Sequence, residues 1–94
     1  MNKAYTIDAN RVVWRLISDE AVVLNLKSGH YYGLNKTCSM IWSLLSRNKT
    51  LEEIAAAIAK KYGISPEVVS ADVSSVVETF EREGLIAQEN NVSA

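Results

Sequence analysis

The sequence predicts an α+β fold in which a three-stranded antiparallel sheet comes first and a three-helix bundle follows. Three observations carry this. Between Arg11 and Leu34 apolar residues alternate with a period of two, interrupted only by turn residues. From Asn35 onward the apolar spacing lengthens to three and four residues, and helix start signals recur three times. At 94 residues, 48% hydrophobic and 22% charged, the chain suits one globular domain with a modest core.

Residues 1–10 are polar and aperiodic and read as a loosely ordered lead-in, ahead of a domain spanning 11–88 and a flexible tail at 89–94. In the first strand Val12, Trp14 and Leu16 fall on one side, and Arg11, Val13, Arg15 and Ile17 on the other. Ser18 and Asp19 supply a turn. In the second strand Val22, Leu24 and Leu26 alternate with Ala21, Val23 and Asn25. Lys27, Ser28 and Gly29 form a hairpin loop, where Gly29 suits the positive φ such loops demand. The third strand puts His30, Tyr32 and Leu34 on one face, toward the core, and Tyr31 and Gly33 on the other. No strand follows it, so it is a candidate open edge, able to pair with an extended segment of another chain.

Asn35 is the N-cap of a first helix reaching about Ser46, made apolar by Met40, Ile41, Trp42, Leu44 and Leu45. Thr50 and Glu53 match a capping box that opens a second helix, Leu51 to about Tyr62, with Leu51, Ile54, Ala55, Ile58 and Tyr62 inward and Gly63 as its stop. Ser65 before Pro66 starts a third helix, whose stripe is Val69, Val73, Val76 and Phe80. Gly84 ends it, and Leu85 with Ile86 folds back onto the core. There is no internal repeat, low-complexity tract or linker.

The chemistry is sparse. His30 is the sole histidine and Cys38 the sole cysteine, so neither a histidine pair nor a cysteine cluster is available to a metal, and neither residue has a partner for nucleophilic or redox work. Glycines stand singly, which excludes a phosphate-cradling loop. Glu52, Glu53 and the acidic residues of the third helix read as helix-start charges and solvated faces. No cofactor and no catalysis are expected. Met1 to Asp8 lacks the pattern of a secretory signal and no apolar run approaches membrane length, so the expected location is the cytoplasm without a membrane partner.

Three helices and a small sheet also fit a winged-helix nucleic-acid reader. Charge argues against it: the chain has a net charge of -1, and its third helix carries Glu67, Asp72, Glu78, Glu81 and Glu83 against Arg82 alone. The one basic cluster, Lys36, Arg47 and Lys49, is accounted for by a solvated helix face. A small structural subunit docking on an enzyme is a further alternative.

The tracts Ala21-Val-Val-Leu-Asn-Leu, Ser28-Gly-His-Tyr-Tyr-Gly-Leu-Asn35, Ile41-Trp-Ser-Leu-Leu45 and Thr50-Leu-Glu-Glu-Ile54 resemble the PqqD family. Tyr62-Gly-Ile-Ser-Pro-Glu67, Asp72-Val and Glu83-Gly-Leu-Ile86 extend the resemblance over nearly the whole chain. It implies a winged-helix-like RiPP recognition element, which binds the leader of a ribosomally made precursor peptide as an added strand and presents it to a modifying enzyme such as a radical SAM enzyme, peptidase or cyclase. The implied contacts are His30, Tyr31, Tyr32 and Gly33 on the strand and, beside the core stripe of the third helix, Val73, Ser74, Val77 and Glu81. Members dedicated to pyrroloquinoline quinone have a Pro-Glu-Gly type turn where this chain has Lys27-Ser-Gly29, so the resemblance is closer to stand-alone recognition proteins, those of lasso peptides among them. The acidic third helix suggests a leader with basic residues near its docking site.

Overall fold

The structure, a computed structural model, describes residues 4–88. Its elements are β1 (Tyr5–Thr6), β2 (Val12–Ile17), β3 (Glu20–Asn25), β4 (Tyr31–Gly33), α1 (Lys36–Ser46), α2 (Leu51–Tyr62), α3 (Pro66–Arg82) and β5 (Ala87–Gln88). β2, β3 and β4 form an antiparallel sheet in that order, with three helices after it, as the sequence predicts. Ser18 and Asp19 both take positive φ, the geometry a two-residue hairpin loop needs to match strand twist. Gly29, at φ 78°, closes the next hairpin.

Each helix starts where its cap predicts. Asn35 accepts from the Cys38 amide at 2.8 Å, Thr50 and Glu53 form the reciprocal box, and Ser65 accepts from the Glu67 amide beside Pro66. The core is centred on Trp42, which is fully buried and meets Phe80 and Trp14 edge-on at 5.3 and 6.0 Å. Ala21 and Val23 of β3 pack onto it from the sheet side.

Four details depart from the sequence reading. Residues 1–10 were expected to be a loose lead-in, yet Tyr5 is buried and β1 pairs with β5, Tyr5 opposite Gln88 and Thr6 opposite Ala87. Two-residue strands carry no readable period, and their partners lie at opposite ends of the sequence. Tyr62, expected inward, is 47% exposed where α2 outruns the core, and Ala59 is buried in the same stripe. In α3 the fully covered valine is Val77, while Val76 is half-buried. Leu16 shares its side of β2 with buried Val12 but is half exposed, because the hairpin tip projects past the core. The expected flexible tail at 89–94 lies outside the described residues.

Candidate functional site

β4 has β3 on one side and, among the described residues, no strand on the other. The Asn25 amide donates to the His30 carbonyl at 2.8 Å and the Leu34 amide to the Ala21 carbonyl at 2.9 Å, so residues 30, 32 and 34 turn their main-chain groups toward β3. Antiparallel alternation then directs the N–H and C=O groups of Tyr31 and Gly33 to the open side. Of the four strand residues expected to bind, these two offer a main-chain row to a guest. The Tyr31 ring is 70% exposed on the outer face, and a side chain at Gly33 would meet nothing within 4 Å. Tyr32 turns its half-buried ring inward, with His30 packed edge-on against it at 6.3 Å.

Two buried polar side chains pin this three-residue strand at its ends. At the far end, the Ser39 hydroxyl of α1 accepts from the Ala21 amide at 2.7 Å and donates to the Leu34 carbonyl at 3.2 Å, bridging β3 and the end of β4. At the near end, Asn25 donates through Nδ2 to the Glu83 carbonyl at 3.0 Å, and its Oδ1 accepts from the Lys27 and Ser28 amides. Asn25 thereby ties the β3–β4 loop to the end of α3. Sequence reasoning missed both residues. The available signal was a strand-poor asparagine on the same side of β3 as Ala21 and Val23.

Between β4 and α3 runs an apolar groove of about 340 Å³, walled by Tyr32, Leu34, Cys38, Val76, Phe80 and Leu85, with Thr79 and Glu83 on its helix side. The Tyr32 hydroxyl donates to Glu83 Oε1 at 2.9 Å across one end. Lost hydration, then the Glu83 carboxylate, hold the Tyr32 pKa above the usual tyrosine value, so the phenol remains a donor. Burial likewise pushes the Cys38 thiol up, leaving it a small neutral wall residue rather than a thiolate. Val76 also lines a second hollow of about 240 Å³, floored by Ile41, Ile58 and Val69 and reached by Asp72.

None of the four α3 residues implied by the family resemblance lines this groove. Val73 and Val77 are buried in the core, Val73 also lining the second hollow, and Ser74 is half-buried. Helix periodicity puts Glu81 on the opposite margin of the stripe, where, after burial, Glu81 and Glu78 are the charges that raise the Tyr5 pKa. The flank facing β4 carries Val76, Thr79, Phe80 and Glu83. A helical stripe has two margins, and periodicity alone does not tell which one abuts the sheet edge.

The structure of TbiB1 in complex with the TbiA(beta) leader peptide matches with a TM-score of 0.81 at 36% identity, covering 86% of this chain and 93% of that one. A lasso peptide synthetase B1 complexed with the leader peptide matches at 0.78 and 18% identity, covering 87% and 95%, and speaks to the fold alone. Among curated proteins none matches. The family model for coenzyme PQQ synthesis protein D (PqqD) matches residues 20–86, an interval that runs from β3 through the open edge, all three helices and the groove, so the chain belongs to the PqqD family.

Proposed function

We propose that this domain binds the leader segment of a ribosomally synthesised, post-translationally modified precursor peptide as an added strand beside β4, and presents it without catalysis to a modifying enzyme such as a peptidase, cyclase or radical SAM enzyme. The observation that carries this reading is the outward pair Tyr31 and Gly33 next to an apolar groove. A relative at 36% identity was solved with a leader peptide bound, which supports it.

The magnitudes divide the labour. The N–H and C=O groups of two residues, each bond worth about 1 kcal/mol net, give roughly 4 kcal/mol, only a millimolar affinity. Tightening to micromolar takes about 4 kcal/mol more, or roughly 160 Å² of apolar surface at about 25 cal/mol per Å², before ordering costs. Alternate guest side chains entering between Tyr32 and Phe80 supply that area and with it the sequence preference. Asp72 and Glu83, the carboxylates nearest these hollows, favour a leader with basic residues beside its apolar anchors. A ribosomal precursor is met in the cytoplasm, where we place the domain.

Titration of the isotope-labelled protein with the precursor encoded beside its gene tests the reading. Shifts are expected at Tyr31 and Gly33 together with Val76, Thr79 and Glu83. Unmoved signals there, with shifts confined to Lys36, Arg47 and Lys49 on addition of DNA, would overturn it.

A further inference from the structure

A further hollow, of about 440 Å³ and apart from the two beside α3, opens between the β2–β3 hairpin and α1. Its apolar floor is Leu16, Met40 and Leu44, and its charged groups are Lys36, Arg47 and Lys61 against Asp19 alone. The helix end of α2 thus brings Lys61 to a basic cluster in which the sequence suggested Lys49. The floor is an unfinished end of the core: Leu16 lies on the inward side of β2 yet stays 50% exposed.

We propose that this hollow is a docking site for an acidic, leucine-bearing segment of a partner protein, held while the leader occupies the β4 side. Charge complementarity selects the acid. Three cations around an apolar floor suit a few carboxylates flanking one apolar anchor, whereas a nucleic acid needs a longer run of cations and gains nothing from Leu16. The dimensions agree, since Lys36 and Arg47 stand roughly 16 Å apart along α1, the span of about five extended residues. Simultaneous occupancy follows from the helix: Lys36, Met40 and Arg47 share one face, about half a turn round from Cys38, which lines the leader groove. The guest on one side and the partner on the other are separated by the width of α1.

A short synthetic peptide of alternating glutamate and leucine, titrated into the full labelled chain, tests this. Saturable shifts are expected at Leu16, Lys36, Met40 and Arg47, weakening with salt. The double variant Lys36→Glu, Arg47→Glu should bind the probe at least about tenfold more weakly, and Leu16→Asn, with every charge kept, should also weaken it. The proposal is overturned if a lysine–leucine peptide binds equally well, if the double variant binds as the parent does, if duplex DNA displaces the probe, or if the shifts fall on Tyr31 and Gly33 instead.

Discussion

The sheet ends in two edges, and setting them side by side separates what makes an edge free from what makes it a site. β2 has six residues and β4 three. The Leu26 amide donates to the Arg11 carbonyl, so by alternation Val12, Trp14 and Leu16 turn their main-chain groups outward, and the Val12 amide is taken by the Asp8 carbonyl. Each edge therefore leaves two residues able to pair. The surroundings differ. Beside β2 the chain supplies its own cover from Thr6 to Ala9, and Arg15 in mid-strand discourages association. Beside β4 stands α3, with an apolar groove between them and a polar pin at each strand end. The family match begins at residue 20, leaving β2 out and including β4. An unpaired ladder is thus common to both edges, and a fixed strand beside an apolar wall is what sets β4 apart.

The largest expected effect removes a pin. Asn25→Ala leaves the Glu83 carbonyl and two loop amides without their partner and should cost roughly 2–3 kcal/mol of stability by chemical denaturation, with the Tyr32 and Leu34 amides, which face β3, losing hydrogen-exchange protection first. If β2 exchanged first instead, the contrast between pinned and unpinned edges would fail. Next comes Tyr31→Pro. The Tyr31 amide serves no intramolecular bond, so folding should be unchanged, while leader binding should weaken by about 2 kcal/mol, roughly thirtyfold by calorimetry. Thr79→Arg projects a long side chain into the groove from its helix rim, and about a tenfold loss of leader affinity is expected with the thermal midpoint retained.

The smallest effect is the sharpest on α3. Glu83→Gln and Glu81→Gln remove the same charge from opposite flanks, and for a leader with basic residues only the first should weaken binding, by about two- to threefold at low salt. Equal or reversed effects in fluorescence titrations would return the guest to the flank that the sequence pattern suggests.

What the sequence disclosed was what short-range chemistry determines. Ser18-Asp19, Asn35, Thr50 with Glu53, Gly63 and Ser65-Pro66 each act on neighbours within four residues, so the strands and helices are legible from them. The outward aspect of Tyr31 followed equally from alternation. The β1–β5 pairing was hidden because nothing near Tyr5 encodes residue 88. The groove flank of α3 was hidden because Val76 and Val77 are equivalent in a one-dimensional pattern, and only packing against β4 ranks them. Ser39 and Asn25 look like ordinary polar residues until the fold buries them.

Asn25 has one consequence beyond stability. Its backbone belongs to the strand that carries β4, and its side chain holds both the loop leading into β4 and the end of α3, so one residue joins the two banks of the channel. The clearance is therefore gauged by the length of a single residue. Replacing it with glutamine would re-space the banks by one methylene, and variation at this position offers a caliper for sorting leader sequences by the bulk of their anchoring side chains.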